Sequence, residues 1–162
     1  MPTEVNTAEQ AKEGDSEVNS TDTAAVHGAR SGHCLCGSIS YRFEAQPETV
    51  VLCHCDDCQR HSGAAFSVNV LVARDAVKIE GTPRSHQTTG SENGELRDRL
   101  FCGDCGTPIF TILHELPDIM IVKAGTLDDR TGLEPSADVW WRRAQDWIEP
   151  HPTRPRFDGD AK

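Results

Sequence analysis

Apolar and polar residues alternate along two stretches of the chain, with the period of two that is typical of β-strands. One stretch follows Gly37 and the other follows Gly63; their apolar residues are Ile39, Tyr41, Phe43, Phe66, Val68, Val70 and Val72. Shorter apolar runs separated by glycines follow at 77–79, 96–101, 108–113 and 119–124. The pattern predicts a mainly β domain built on an antiparallel sheet, with a core that includes Ile39, Tyr41, Phe66, Val68, Phe110 and Ile121.

Helical periodicity is weak throughout the sequence. Only two short segments are helix candidates, residues 56–61 and part of 141–148. The second segment and the residue before it hold three tryptophans, Trp140, Trp141 and Trp147. We expect these rings to pack over the sheet, with a wall of a reactive pocket as the alternative.

Composition divides the chain into a central domain and two tails. Residues 1–31 contain six acidic and two basic side chains and no Leu, Ile, Phe, Trp or Tyr. Such a segment buries too little apolar surface to offset its ordering entropy, which predicts disorder. The folded domain is expected over 32–149, and the proline-rich residues 150–162 are expected to form a flexible tail.

The net charge of −10 restricts the classes of partner. An acidic surface repels phosphate backbones and anionic lipids, so we expect neither nucleic-acid nor membrane binding. The sequence lacks the pattern of a signal peptide or a membrane span. Seven cysteines without an export signal indicate a reducing compartment, for which we expect the cytoplasm.

The cysteines form three clusters, and the first and last predict a closed structural zinc site. Cys102-Gly-Asp-Cys105-Gly is a tight turn in which two thiolates reach one metal, and Cys34-Leu-Cys36-Gly supplies a second pair. Four thiolates complete a tetrahedral zinc and leave no position for chemistry. Independent buried thiols or a disulfide are the alternative.

The middle cluster, Cys53-His-Cys55-Asp-Asp-Cys58, predicts a different kind of site. Three protein ligands with a fourth position for water or substrate are typical of a reactive zinc. Three thiolates make the zinc a soft, weak Lewis acid that favours an incoming thiol. The alternatives are a second structural zinc, with His54, His61 or a distant residue as fourth ligand, and a redox cysteine pair. The motifs of a zinc deaminase are absent.

The three clusters together identify a resemblance. Gly-His-Cys-Leu-Cys-Gly (32–37), Cys-His-Cys-Asp-Asp-Cys-Gln-Arg (53–60) and Phe-Cys-Gly-Asp-Cys-Gly-Thr (101–107) closely resemble the glutathione-dependent formaldehyde-activating enzyme family, also called the centromere protein V family, over about 32–147. The resemblance implies an Mss4-like β fold and two zinc ions per chain. It implies structural ligands at Cys34, Cys36, Cys102 and Cys105, and catalytic ligands at Cys53, Cys55 and Cys58.

The resemblance also implies an activity. Members add glutathione to formaldehyde, giving S-(hydroxymethyl)glutathione, which is classed as carbon–sulfur lyase chemistry. We therefore expect an enzyme whose partners are a small thiol and an aldehyde. The alternatives are the same chemistry on another thiol or aldehyde, and a non-catalytic zinc module that binds a protein.

Substrate contacts are sought near the reactive cluster. Glutathione has two carboxylates, which need cationic partners. Arg60 is the first candidate, and His54, Gln59 and His61 are further candidates for substrate binding or proton transfer. Weaker candidates are Arg97, Arg99, Arg142 and Arg143. His54 lies between two predicted ligands, so its side chain is expected to point away from the metal.

Overall fold

A computed structural model describes residues 29–44, 47 and 49–161. In the described residues the chain forms eleven strands, one α-helix and three short 3-10 turns. The strands are β1 (Arg30–His33), β2 (Ser40–Phe43), β3 (Thr49–Cys53), β4 (Ser67–Ala73), β5 (Lys78–Glu80), β6 (Arg84–Thr89), β7 (Leu96–Phe101), β8 (Pro108–Leu113), β9 (Ile119–Lys123), β10 (Ala137–Val139) and β11 (Arg156–Phe157). The helix, α1, spans Asp56–Ser62.

The strands form two sheets. The smaller sheet has the order β1-β2-β5 and is antiparallel. The larger sheet has the order β11-β10-β3-β4-β9-β8-β7-β6. Its pairs are antiparallel except that β10 runs parallel to both β3 and β11.

The large sheet has an apolar face and a cavity face, because side chains of a strand alternate between the two. In β4, Val70 and Val72 are fully buried in the main apolar core. Asn69 and Leu71 point to the other face and line a cavity. The apolar face packs against the small sheet through Ile39, Tyr41, Phe43, Ile109, Phe110, Met120 and Val122.

The predicted mainly β architecture is confirmed. The apolar runs 96–101 and 108–113 coincide with β7 and β8, and the segment 56–61 lies in α1. The predicted helix at 141–148 is reduced to a 3-10 turn at Trp141–Arg143. Trp147 is 71% exposed, so the segment has no apolar stripe to bury, and without one a short helix is not stabilised. The expectation that Trp147 packs over the sheet is therefore wrong.

The structure describes most of the C-terminal segment but only the last three residues of the N-terminal segment 1–31. The predicted disordered segment 1–31 lies outside the described residues except for its last three, of which Arg30 and Ser31 begin β1. Residues 150–162 are predicted to be a flexible tail, but they contain β11, which pairs with β10. Asp160 accepts a hydrogen bond from Nε1 of Trp140 at 2.8 Å. Packed structure thus continues beyond residue 149.

Among the described residues, none of the helices combines the length and apolar character needed to cross a membrane.

Candidate functional site

Four cysteines from the ends of strands meet at one point. Cys34 follows β1 and Cys102 follows β7, while Cys36 and Cys105 lie in the adjoining turns. All four Sγ atoms lie within 4.8 Å of one another, with Cys34–Cys36 at 3.5 Å and Cys36–Cys102 at 3.7 Å. Both turns are closed by a glycine in the left-handed region, Gly37 at φ +80° and Gly106 at φ +76°.

This geometry fits a closed metal site. Thiolates around zinc at about 2.3 Å lie about 3.8 Å apart, close to the observed separations. The Ile39 N–H donates to Sγ of Cys34 at 3.3 Å, which favours a thiolate there. The site joins the small sheet to the large one, because Cys34 belongs to the first and Cys102 to the second.

The other three cysteines form a separate group at the end of β3 and in α1. The Sγ atoms of Cys53, Cys55 and Cys58 all lie within 4.8 Å of one another, with Cys53–Cys55 at 3.6 Å. Cys55 is the N-cap of α1, and its sulfur accepts a hydrogen bond from the Cys58 N–H at 3.4 Å. The short helix therefore presents two of the three sulfurs from one turn.

The three thiols influence one another strongly. Hydrogen bonds from Cys53 and Cys55 hold the pKa of Cys58 well below its usual value. The same contacts raise the pKa of Cys53. Neighbouring thiols therefore cannot all ionise unless a cation offsets their charge, and a divalent metal bound by three thiolates does so. The donor set and the spacing fit zinc.

A fourth protein ligand is absent from this group in the described part of the chain. Among the described residues, no ligand atom of a His, Asp or Glu side chain lies within 4.8 Å of all three sulfurs. His54 and His61 are the nearby alternative fourth ligands that the sequence suggests. His54 points to the opposite side, where Nε2 donates to Asp138 Oδ1 at 2.9 Å. His61 lies one turn beyond Cys58 and is not part of the group.

The group opens onto a cavity of about 530 Å³ on the second face of the large sheet. This volume lies within the ~300–1,000 Å³ range of small-molecule sites. Its lining is mainly apolar, with polar groups near the cysteines. The apolar residues include Val51, Leu71, Leu113, Ile121, Val139 and Trp140. The closed four-cysteine group takes no part in the lining.

Two buried cations line the same cavity. Lys123 is 7% exposed and Arg99 is 8% exposed. Nζ of Lys123 donates to Ser67 Oγ at 3.0 Å and to Asn69 Oδ1 at 2.9 Å. Burial lowers the pKa of Lys123, whereas the nearby charge on Cys58 raises it. The positive charges of Lys123 and Arg99 in turn lower the pKa of Cys58, so the cations and the cysteines form one electrostatic unit.

His54 is completely buried and packs between aromatic rings. Its ring centroid lies 5.4 Å from that of Phe66 and 5.1 Å from that of Trp141. Asp138 also accepts a hydrogen bond from Arg154 at 2.5 Å. This chain of contacts ties the segment after residue 150 to the loop between Cys53 and Cys55. The position is suited to holding the loop, and it gives His54 no access to the cavity.

Gln59 and Arg60 do not line the cavity in the structure. The Gln59 amide donates to the backbone carbonyls of His54 at 2.6 Å and of Arg143 at 2.9 Å, so it braces two loops. The Arg60 side chain is 76% exposed and lies 3.9 Å from Asp56. Side chains four residues apart share one helix face, and here that face points to solvent.

His61 occupies an intermediate position. Burial and the charges of Lys123 and Arg99 lower its pKa to about 4, which keeps the ring neutral. Its Nδ1 is buried and has no hydrogen-bond partner among the described residues. The side chain is not part of the cavity lining.

The weaker arginine candidates divide into two pairs. Arg97 and Arg99 line the cavity, but Arg97 is neutralised by Glu115, with Nη1 at 2.5 Å from its carboxylate. Arg142 and Arg143 both bind the Glu92 carboxylate, at 2.9 Å and 2.6 Å. Arg99 is thus the predicted arginine that remains near the cysteines without a close ion pair, its nearest carboxylate being Asp57 at 3.9 Å.

Sequence reasoning missed Lys123 and Asn69. Both are polar residues within strands whose other side is apolar. Val68, Val70 and Val72 alternate around Asn69, which indicates that the Asn69 side chain points away from the core. Pairing of Asn69 with Lys123 is set by the β4–β9 register. A sequence contains no direct record of that register.

Comparison with known proteins agrees with the geometry. The family model described as "Glutathione-dependent formaldehyde-activating enzyme" matches residues 29–143, which is more than half of the chain. The protein belongs to the glutathione-dependent formaldehyde-activating enzyme family. Both cysteine groups and Lys123 lie inside the matched segment, whereas Arg154 and Asp160 lie beyond it.

A solved structure gives an independent view of the fold. The crystal structure of a Rhodobacter sphaeroides protein, a structural-genomics target, is similar at a TM-score of 0.50 and 19% sequence identity. The similarity covers 65% of this chain and 91% of that chain. At this identity it bears on the fold alone. No curated protein sequence matches the chain.

Proposed function

We propose that this protein catalyses the addition of a thiol, with glutathione as first candidate, to formaldehyde, forming the carbon–sulfur bond of S-(hydroxymethyl)glutathione. The observation that carries the proposal is the three-cysteine group of Cys53, Cys55 and Cys58, which opens onto the cavity and has no fourth protein ligand in the described residues. Membership of the family supports the reaction class.

Zinc held by these three cysteines would supply a soft position at which a thiol binds as its thiolate. The chain's own residues then do the rest. Arg99 and Lys123 offset negative charge beside the cysteines. Apolar side chains such as Leu71 and Ile121 exclude water from the cavity, which strengthens these electrostatic interactions. Holding thiol and aldehyde in one small volume raises their effective concentration.

The same observations support a carbon–sulfur lyase classification and a two-zinc protein. All seven cysteines are free thiols in the structure, in keeping with a reducing compartment such as the cytoplasm. The four-cysteine group would hold the structural zinc, which has no open position.

The test is the rate of S-(hydroxymethyl)glutathione formation, measured by exchange NMR with and without the zinc-loaded protein. Thiols add to formaldehyde unaided, so the uncatalysed rate is the baseline. We expect a clear rate increase that is lost in Cys55→Ser, with the variant folded and one zinc per chain fewer. Full activity of folded Cys55→Ser would refute the assignment of the site.

Cobalt substitution distinguishes the enzyme from a non-catalytic zinc module. With cobalt in the three-cysteine group, glutathione should shift the ligand-field bands by entering the fourth position. A spectrum that glutathione does not change, together with no rate increase, would favour a module that binds a protein. A spectral shift without turnover of formaldehyde would point to another aldehyde.

A further inference from the structure

Lys123 is a buried cation whose charge lacks a carboxylate partner in the described part of the chain. Its ammonium group is held by two neutral oxygens, Ser67 Oγ and Asn69 Oδ1. No described ion pair includes it, although it is only 7% exposed. A buried charge needs nearby negative charge, and Lys123 shares its cavity with the three-cysteine group and with any anion that forms there.

The ammonium group is also fixed in direction. Ser67 Oγ donates to Asn69 Oδ1 at 2.8 Å, so Ser67, Asn69 and Lys123 form a closed set of hydrogen bonds. An ammonium has three N–H donors, and two of them are used in this set. The third has no acceptor among the described residues, and Lys123 lines the cavity.

A second donor in the same cavity is unpartnered. Thr111 is 3% exposed and lines the cavity, and its hydroxyl has no hydrogen-bond partner among the described residues. Thr111 pairs with Ile121, two residues before Lys123 on the same face of β9. Diagonal neighbours on one face of a sheet lie about 7–8 Å apart, and the Lys123 amine turns towards β4, on the opposite side of β9 from Thr111. The two donors therefore serve different parts of the cavity.

The register also places the Lys123 amine beside the cysteines. Cys53 on β3 pairs with Ser67 on β4, and the Lys123 amine reaches the Ser67 hydroxyl. Lys123 and all three cysteines line the same cavity. An atom attached to a sulfur at the three-cysteine group therefore lies next to the ammonium.

We propose that Lys123 forms an oxyanion site that stabilises the aldehyde oxygen as the thiolate adds. The proposal rests on the proposed function. In the step, the sulfur lone pair forms the new C–S bond while the C=O π pair moves to oxygen. The oxygen then takes a proton from water, and the hydroxide that remains takes the proton that the thiol released on forming the thiolate. The free Lys123 N–H donates to the oxygen while it carries negative charge.

The kinetic test uses Lys123→Met, which keeps the length of the side chain and removes the charge. Removing one oxyanion donor typically lowers kcat about 10²–10³-fold. We expect a loss of this size in kcat, with the dissociation constant of glutathione changed less than threefold. The control is Lys78→Met, on the exposed strand β5, which should leave kcat unchanged.

A binding test needs no turnover. Thioacetate carries sulfur and a partly charged oxygen on one carbon, the same S–C–O arrangement as the adduct, whereas ethanethiol lacks the oxygen. Dissociation constants for both are measured on the cobalt-loaded protein. The ratio of ethanethiol to thioacetate constants should fall at least tenfold in Lys123→Met. If wild type and variant show the same ratio, the oxyanion site is refuted even where turnover is intact.

The two tests separate the possible failures. In one outcome, the wild-type protein shows no turnover but prefers thioacetate to ethanethiol, and the preference depends on Lys123. This result refutes the named reaction and supports the oxyanion site. In a second outcome, Lys123→Met binds glutathione more weakly but keeps the wild-type kcat. This result assigns Lys123 to thiol binding and overturns the proposal. If Lys123→Met loses cobalt, Lys123→Arg and Ser67→Ala serve in its place. Both variants keep the positive charge but change the direction of its N–H donors. An unchanged ratio of the ethanethiol and thioacetate dissociation constants in both variants overturns the proposal.

Discussion

The buried carboxylate of Asp138 joins three parts of the chain, and removing its charge gives a sharp test of the structure. Asp138 is 1% exposed and accepts from His54 Nε2 at 2.9 Å and from Arg154 Nε at 2.5 Å. In Asp138→Asn the amide oxygen can still accept one of these bonds. The amide NH₂ then faces the other donor, so one buried donor loses its acceptor.

The expected cost follows from these contacts. A hydrogen bond to a charged group contributes about 1.5–3 kcal/mol, and breaking a fully buried ion pair costs about 3–5 kcal/mol. The Arg154 side chain is 17% exposed and can turn partly to water, which reduces the loss. We expect the free energy of unfolding to fall by about 2–3 kcal/mol. With a urea m value of about 1.5–2 kcal/mol/M, the midpoint falls by about 1–2 M.

The pH dependence follows from the sign of the pKa shift. Burial raises the pKa of Asp138, but hydrogen bonds from Arg154 and His54 outweigh burial and leave it below its usual value. A lowered folded pKa contributes stability above the unfolded pKa of about 3.9 and loses it as the pH falls towards the folded value. The difference between wild type and Asp138→Asn should therefore be equal at pH 6 and pH 8.

The assay is urea unfolding of the zinc-loaded proteins, followed by tryptophan fluorescence, with zinc counted per chain. The matched control is Asp146→Asn, an exposed aspartate, which should change the free energy by less than 0.5 kcal/mol, as surface substitutions do. A loss below about 0.5 kcal/mol in Asp138→Asn, or an equal loss in the control, would refute the inference that this carboxylate clamps the site.

Three further changes test other parts of the structure. Gly32→Ala places a Cβ in steric overlap with the Tyr41 hydroxyl and the Thr126 carbonyl oxygen, so we expect a lower urea midpoint; an unchanged midpoint would contradict this packing. Gln59→Ala removes two hydrogen bonds to backbone carbonyls and should cost about 1–3 kcal/mol by the same assay; a neutral result would show that the brace is dispensable. Cys105→Ser should release one zinc and lower Tm sharply, because it opens the closed group that joins the sheets; elemental analysis and calorimetry measure both, and a stable variant with two zinc ions would overturn the structural assignment.

Some elements follow from local sequence and others do not. Strands β7 and β8 coincide with apolar runs, and α1 follows a cysteine cap and two aspartates. Strand β6 has mostly exposed residues and no apolar alternation, so it carries no such signal. It exists because β7 offers it a full antiparallel partner. The two-residue strand β11 likewise depends on β10.

The local grouping of the cysteines was determined by the sequence. Thiols two or three residues apart can bind one metal whatever the surrounding fold, because the chain between them fixes their separation. Spacing therefore groups Cys53, Cys55 and Cys58 and forms the two pairs Cys34–Cys36 and Cys102–Cys105. Joining the two pairs into one site depends on the fold, and the structure brings them together.

The surroundings of the three-cysteine group were decided only by the tertiary structure. Proximity in sequence favoured Arg60, but its position in α1 turns it to solvent. The cavity instead receives Lys123, which is 65 residues further along than Cys58. The strand register and the choice of which sheet face is buried place Lys123 in the cavity. Both depend on packing of the whole core rather than on neighbouring residues. The sequence thus indicates which cysteines can bind metal, whereas packing of the core decides which charged side chains lie beside those cysteines.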